Sequence, residues 1–128
     1  MIIQGLDHVN IRVKDPAATI AFFTDVLGMT VDSRVKSWLK DEQGNAVVHV
    51  GSADAVYPSD AWRPFEPRAD SGAVHHVALS CKGYHAVEQR LDALGLEYRK
   101  GGVPEFGLRQ IFVVEPGGVL LELNFRGA

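Results

Sequence analysis

The sequence predicts an α+β fold built from two tandem β-α-β-β-β modules, because the chain repeats its own pattern. The tripeptide Asp-His-Val at 7–9 opens one strand-like run, and His-His-Val at 75–77 opens another. Each run precedes a helix-like stretch that ends in Leu-Gly, at 27–28 and at 94–95. Each half then closes on a glycine turn and an apolar strand. Repetition of this kind is an architectural signal that outweighs local propensity.

The first module is expected to begin with a strand at 7–13, where apolar and polar side chains alternate and His8 falls on the polar face. Asp15 has the side chain of a helix N-cap, and Pro16 suits the first helical position. The helix should end before Gly28, a residue type that commonly follows a helix C-terminus. It is expected to bury Ile20, Phe23 and Leu27, which stand at helical spacing. Three short strands should complete the module at about 29–35, 37–41 and 45–51.

The second module is expected to follow the same plan. Alternation of apolar and polar side chains predicts a strand from His76 to Cys81. A helix at about 83–94 should end before Gly95. It is expected to bury Tyr84, Val87, Leu91 and Leu94. Further strands are expected at about 96–100, 108–114 and 118–125, with a Glu-Pro-Gly-Gly turn at 115–118.

A single domain is expected over 1–128, with module 1 at about 5–51 and module 2 at about 74–125. A chain of 128 residues is long enough to bury a real core. Residues 52–73 are rich in Pro, Asp and aromatic side chains and show no clear period. We therefore interpret them as a linker between the modules.

The composition is that of a globular protein, with 46% hydrophobic and 23% charged residues. A net charge of −3 and the lack of a basic run argue against nucleic acid as the main partner. No apolar run approaches the roughly 20 residues of a membrane span, so no membrane partner is expected. Residues 1–5 lack the basic region of a signal peptide, and the single Cys81 cannot form an internal disulfide. A cytoplasmic location is expected.

Four side chains with metal-ligand chemistry fall at equivalent points of the two modules: His8, His49, His76 and Glu122. Strand alternation sends their apolar neighbours to one face, so all four are expected on the opposite face. Each belongs to the first or last strand of its module. A lone strand histidine is more often structural, but this joint placement favours a divalent-metal site. We interpret the adjacent His75 as structural.

The sequence resembles the vicinal oxygen chelate superfamily. This group includes glyoxalase I, methylmalonyl-CoA epimerase, the fosfomycin-resistance proteins, the extradiol dioxygenases and the bleomycin-resistance proteins. The resemblance rests on the duplicated modules, on the openings at His8 and His76, and on Glu-Pro-Gly-Gly-Val-Leu-Leu-Glu-Leu at 115–123. It covers about 5–125. It implies a glyoxalase-like fold, in which the two modules form a curved, partly open eight-stranded barrel around a metal.

The resemblance also implies the ligands of one divalent ion, which would be Ni, Co, Zn, Mn or Fe. By position, His8, His76 and Glu122 match the common His/His/Glu set of the family. His49 stands where glyoxalase I has a second Glu and the epimerase has a Gln. His49 is therefore a candidate fourth ligand or base, and turnover of the methylglyoxal–glutathione adduct should be weak or absent.

We predict a metal-dependent enzyme of the glyoxalase type. It would be a lyase or isomerase that chelates two neighbouring oxygens of a small metabolite and transfers a proton. Glu122 and His49 are the candidate catalytic residues. The candidate substrate contacts are Asn10 and Arg12 on the His8 face, Asn124 on the Glu122 face, and Arg109 beside the glycine-rich loop at 101–107.

Two other functions stay open. An Fe(II) extradiol-type dioxygenase uses a 2-His-1-carboxylate arrangement of the same kind. A metal-free binding protein of the bleomycin-resistance kind uses the same fold, although it has no need of the His/His/Glu set. We also expect a homodimer, since exposed sheet edges are usually covered and family relatives of this length form two-fold dimers.

Overall fold

The computed structural model describes residues 1–68 and 70–127. Its strands in chain order are β1 Val9–Val13, β2 Thr30–Val31, β3 Trp38–Lys40, β4 Ala46–Ser52, β5 Val77–Cys81, β6 Tyr98–Val103, β7 Leu108–Val114 and β8 Leu120–Arg126. Helix α1 spans Pro16–Ala21 and continues as a π-helical turn over Phe22–Val26, and helix α2 spans Tyr84–Ala93. Short 3₁₀ turns occupy Pro58–Ala61 and Pro104–Phe106.

The strands form two four-stranded sheets of matching topology, with the orders β1-β4-β3-β2 and β5-β8-β7-β6. In each sheet the first and last strands of the module pair in parallel, and the other pairs are antiparallel. The α+β class and the duplicated β-α-β-β-β plan are therefore confirmed. In the described part of the chain, each strand pairs within its own module. The described strands therefore form two four-stranded sheets, one in each module.

Contacts within the chain divide it into two compact units, Met1–Pro67 and Arg68–Ala128. The boundary falls inside the linker predicted at 52–73. Each unit buries an apolar layer of its own. The first unit buries Ile11, Phe23 and Val50, and the second buries Leu91, Ile111 and Leu123. Among the described residues, no helix is long and apolar enough to cross a membrane.

The first helix begins as predicted but buries a different stripe. Asp15 Oδ1 accepts the backbone N–H of Ala18 at 3.1 Å, which confirms the N-cap. Phe23 is fully buried as expected, whereas Ile20 and Leu27 are half-buried. Leu27 caps the π-helical turn at the point where the helix ends, so its side chain leaves the stripe. The stripe lies one residue earlier than predicted, at Thr19, Phe22, Phe23 and Val26.

The strand expected at 29–35 is reduced to two residues because Asp32 folds the chain back. Asp32 is 5% exposed, and its Oδ1 accepts the backbone N–H groups of Arg34 at 2.7 Å and Val35 at 3.2 Å. These bonds compete with strand pairing. The Arg34 side chain and these N–H groups hold the pKa of Asp32 well below its usual range.

The second helix follows the prediction over most of its length. Val87 and Leu91 are buried, and Tyr84 is half-buried. Leu94 is the C-cap residue, beyond the last helical turn, and is 60% exposed rather than buried. The turn at 115–118 is confirmed, and it is held by the buried Glu115 carboxylate.

Candidate metal centre

The predicted ligands lie in, or directly before, the paired first and last strands of each module. His8 directly precedes β1, and His49 lies in β4, the strand that pairs with β1. His76 directly precedes β5, and Glu122 lies in β8, the strand that pairs with β5. The neighbours of Glu122 in β8 are fully buried, so alternation turns Glu122 to the other face.

The His8 ring is oriented by the residue before it. His8 Nδ1 lies 2.6 Å from Asp7 Oδ1. Since a carboxylate accepts, Nδ1 carries the hydrogen, and Nε2 of the neutral ring keeps its lone pair. A carboxylate in this position is the common outer partner of a metal-binding histidine.

The His49 ring is packed between two other rings. It stacks on Trp38 with ring centroids 4.2 Å apart and on His8 with centroids 3.7 Å apart. Its Nε2–H donates to the carbonyl oxygen of Ala46 at 3.0 Å. Burial lowers the pKa of His49 from its ordinary value, and the adjacent His8 ring lowers it further. Both effects favour a neutral ring.

This stacking restricts what His8 and His49 can bind together. Their ring planes are 15° apart, so they are nearly parallel. A histidine nitrogen directs its lone pair in the ring plane, and one ion at about 2 Å cannot lie in both planes. In this arrangement His8 is available as a ligand through Nε2. A ligand role for His49 stays a prediction, and it would require the ring to turn.

In the second unit the structure brings His76 and Glu122 together. His76 Nε2 lies 3.6 Å from Glu122 Oε1, and His76 Nδ1 hydrogen-bonds to His75 Nδ1 at 2.9 Å. Two atoms that each bind one ion at about 2.0–2.2 Å lie about 3 Å or more apart. The spacing therefore fits joint coordination. His75, interpreted from sequence as structural, contacts His76 as Asp7 contacts His8.

Glu122 is fixed by a short hydrogen-bonded chain of side chains. Asn124 Nδ2 donates to Glu122 Oε2 at 3.0 Å, and Gln110 Nε2 donates to Asn124 Oδ1 at 3.0 Å. This chain engages Oε2 and leaves Oε1 towards His76. Asn124 was predicted as a substrate contact, and here it supports Glu122.

The chemistry of the donor atoms suits a divalent ion. The observed contacts join them only in pairs, His8 with His49 and His76 with Glu122. Among residues 1–68 and 70–127, no group of three or more His, Cys, Asp or Glu side chains is placed to hold a metal. His8, His76 and Glu122 each have one polar atom engaged and one available. Imidazole nitrogen and carboxylate oxygen suit Zn, Fe, Ni, Co or Mn. The ligand set of His8, His49, His76 and Glu122 stays a prediction.

Arg12 is engaged within its own unit. Its guanidinium binds both carboxylate oxygens of Asp60 at 2.7 and 2.9 Å and donates to the carbonyl of Ala55. It also lies over the Tyr57 ring at 4.0 Å and the Phe65 ring at 4.5 Å. Arg12 therefore links β1 to the segment that follows β4, through hydrogen bonds to Ala55 and Asp60. Its role as a substrate contact stays a prediction.

Asn10 is the substrate candidate that lies beside His49, its register partner in β4. The Tyr57 hydroxyl donates to Asn10 Oδ1 at 3.2 Å. This hydroxyl rests against Gly51, where an added Cβ would lie 1.8 Å from it, so a larger residue would displace Tyr57. The amide Nδ2 of Asn10 has no hydrogen-bond partner in the described part of the chain.

Arg109 lies on the other face of its sheet from Glu122. Alternation in β7 puts Arg109 on the same side as Ile111 and Val113, which are buried. The Arg109 guanidinium lies over the Tyr84 ring of α2 at 4.3 Å. The structure therefore does not bring Arg109 to the Glu122 face.

Five residues that shape these pairs were not identified from the sequence: Asp7, Trp38, Tyr57, Asp60 and Gln110. Two of them carried a usable signal. Asp7 stands next to a predicted ligand, and Gln110 stands opposite Asn124 in the hairpin closed by the turn at 115–118. Tyr57 and Asp60 fall in a segment without periodicity, and strand alternation therefore cannot predict which residues they contact.

A family sequence model covers most of the chain. The model of the Glyoxalase/Bleomycin resistance protein/Dioxygenase superfamily matches residues 5–123. The chain belongs to this superfamily, as its resemblance implied.

Two curated relatives and many solved structures are similar to the chain. The 2,2',3-trihydroxybiphenyl dioxygenase of Sphingomonas paucimobilis is 30% identical over 98% of this chain, which spans 42% of that enzyme's length. Glyoxylase I 4 of Arabidopsis thaliana is 25% identical, with 94% of this chain and 70% of the relative covered. The fosfomycin resistance protein FosX of Listeria monocytogenes has a TM-score of 0.68 at 21% identity, with 98% of this chain and 96% of that one covered. That likeness shows a shared fold.

Proposed function

We propose that this chain is a divalent-metal-dependent enzyme of the glyoxalase type. It would bind a small metabolite through two neighbouring oxygens and transfer a proton. The observation that carries the proposal is the 3.6 Å approach of His76 Nε2 to Glu122 Oε1. The second polar atom of each side chain is held by a neighbour, so both donor atoms are oriented before anything binds.

The ligands in this proposal are His8, His76 and Glu122. Asp7 accepts from His8 Nδ1, and in this proposal His76 Nδ1 donates to His75 Nδ1, so that each ring would offer Nε2. A divalent ion bound by them would polarise two substrate oxygens as a Lewis acid.

Proton transfer in this proposal is assigned to Glu122. Because Asn124 donates to Oε2, Oε1 has both roles in this proposal, and it would accept the proton only after leaving the ion. His49, the other candidate catalytic residue, has its Nε2–H committed to Ala46 and offers Nδ1. Asn10 Nδ2 is the donor beside His49 that could orient a substrate oxygen.

An Fe(II) extradiol-type dioxygenase is the second candidate, and it would use the same three ligands. If His49 does not bind, three ligands are left, which is the 2-His-1-carboxylate set of Fe(II) oxygenases. The 30% identity with 2,2',3-trihydroxybiphenyl dioxygenase points the same way. A metal-free binding protein is the third candidate, but the oriented donor atoms argue against it.

Metal identification and two assays separate these candidates. Protein purified without chelators is analysed for metals. It is then assayed for deuterium exchange at the carbon next to the carbonyl in α-hydroxycarbonyl compounds. Oxygen uptake is measured with 2,2',3-trihydroxybiphenyl. We expect metal-dependent exchange that falls at least about 100-fold in Glu122→Gln, within the range for loss of a general base.

The exposed carboxylate Glu97 provides a matched control, because Glu97→Gln removes the same charge in the same unit. Exchange should be unchanged in that variant. Bound iron with oxygen uptake and no deuterium exchange would contradict the proposal and favour the dioxygenase. Protein that binds no metal and shows neither activity would contradict both enzyme candidates and favour the metal-free binding protein.

A further inference from the structure

An open cavity in the second unit lies at the Arg109 side of the sheet, away from the Glu122 face. Its volume is about 730 Å³. The walls come from the start of α2, the β6–β7 hairpin and the end of β8, and they include Arg109 and His85 but no carboxylate. The chemistry proposed above uses none of these walls.

Arg109 is held in place from one side and is otherwise unpaired. Its guanidinium lies 4.3 Å from the centre of the Tyr84 ring, and Tyr84 packs edge-on against Phe125 at 5.3 Å. In the part of the chain that the structure describes, the guanidinium has no ion-pair or hydrogen-bond partner. A guanidinium stacked on an aromatic ring keeps its fork of N–H donors for a carboxylate or a phosphate.

Three glycines of the β6–β7 hairpin, Gly101, Gly102 and Gly107, line the cavity with Arg109. Gly102 is the register partner of Arg109, and an added Cβ there would lie 2.7 Å from the carbonyl oxygen of Leu108. Gly107 has a φ of +61°, in the left-handed region that favours glycine. At these glycines the hairpin presents backbone to the cavity, beside the side chains of Pro104 and Leu108.

We propose that this cavity binds a small organic anion whose carboxylate or phosphate oxygens pair with Arg109. The volume lies within the range of about 300–1,000 Å³ for small-molecule sites and exceeds what a bare ion needs. Pro104 and Leu108 give an apolar wall for the organic part. His85 also lines the cavity, and its Nδ1 lies 3.5 Å from Glu88 Oε1. Lys100 binds Glu88 at 2.7 Å and offsets its negative charge.

An NMR titration of the full chain tests this site directly. Benzoate and phenyl phosphate are the two anionic probes, and benzyl alcohol is the neutral control. We expect saturable amide shifts at Gly101, Gly102 and Gly107 with at least one anion and none with benzyl alcohol. The anion that binds more tightly identifies the preferred group.

Two arginine variants give a matched pair. Arg109→Gln should weaken anion binding about 10- to 100-fold, the loss expected for hydrogen bonds to a charged group. Arg126 is exposed, and strand alternation puts it on the opposite face of β8 from Phe125. Arg126→Gln removes the same charge and should leave the affinity unchanged. A spectrum of native dispersion shows that each variant is folded.

Shifts that persist in Arg109→Gln, shifts confined to residues outside the hairpin, or no shift with either anion would overturn the proposal. Glu122→Gln separates this cavity from the proposed metal site. That variant should bind the anion as the unmodified chain does, whatever happens to metal content or exchange.

Discussion

The residue that precedes each histidine opening engages the Nδ1 atom of that histidine. Asp7 does so for His8 and His75 does so for His76, although one partner is a carboxylate and the other an imidazole. The two positions are therefore alike in the contact that they make, although the residue types differ. The proposed ligand set uses Nε2 of both histidines.

Replacing Asp7 by Ala should weaken metal binding by about 10- to 100-fold, because outer partners of a histidine ligand contribute that much. The affinity is measured by competition with a metal-binding dye. Asp54→Ala, which removes an exposed carboxylate from the same unit, is the control. Equal affinities for the Asp7 variant and the unmodified chain would contradict the role given to Asp7.

His49→Phe tests whether His49 is a ligand. Phe keeps a flat ring between Trp38 and His8 but has no nitrogen. We expect the variant to bind as much metal as the unmodified chain. The lone pair of the stacked His49 ring lies in a plane nearly parallel to that of His8, so the two rings cannot reach one ion. A loss of metal as complete as in His8→Ala would show that the ring turns and that His49 is the fourth ligand.

At the scale of elements, alternation and helix signals predicted most of the secondary structure. The N-cap Asp15 and the turn at 115–118 were predicted correctly, because each depends on local chemistry. One error lies where a side chain bonds to the backbone just after it, outside any helix. Asp32 cuts the strand expected at 29–35 to Thr30–Val31 by accepting two backbone N–H groups, which periodicity does not reveal.

The segment after β4 is an element that alternation could not predict, because one ion pair fastens it to β1. Arg12 donates to Asp60, and this hydrogen bond is the main reason that the pKa of Asp60 lies below its ordinary value. A carboxylate with a lowered pKa in the folded state stabilises the fold above its unfolded pKa of about 3.9. That contribution is lost as the pH falls through the lower folded value.

Asp60→Asn should therefore lower the melting temperature at pH 7, and the difference from the unmodified chain should shrink below about pH 4. Thermal unfolding from pH 2 to pH 8 measures it, with Asp54→Asn as the control for a lost surface charge. A difference that is independent of pH would mean that the Asp60 carboxylate does not act through its charge.

At the scale of the whole molecule, duplication predicted the fold class and the strands at which the candidate ligands stand. It could not predict the pairing of His8 with His49, nor that of His76 with Glu122. A stack with Trp38 fixes the first pair, and Asn124 and Gln110 fix the second. Such partners depend on register between strands, which alternation along one strand does not specify.

A homodimer stays a prediction at this scale. Within the described residues β1, β2, β5 and β6 are edge strands, and exposed edges are usually covered. Light scattering at micromolar concentration should give twice the mass of one chain. A mass equal to one chain at that concentration would reject the dimer.

The metal content of single ligand variants tests the proposed centre most directly. We expect the unmodified protein to hold about one divalent ion per chain, measured by elemental analysis after purification without chelators. His8→Ala, His76→Ala and Glu122→Ala should each lose the ion while circular dichroism shows the native fold, and Glu97→Gln should keep it. Retention of the ion by any folded ligand variant, or no ion in the unmodified chain after exposure to each candidate metal, would contradict the proposed ligand set.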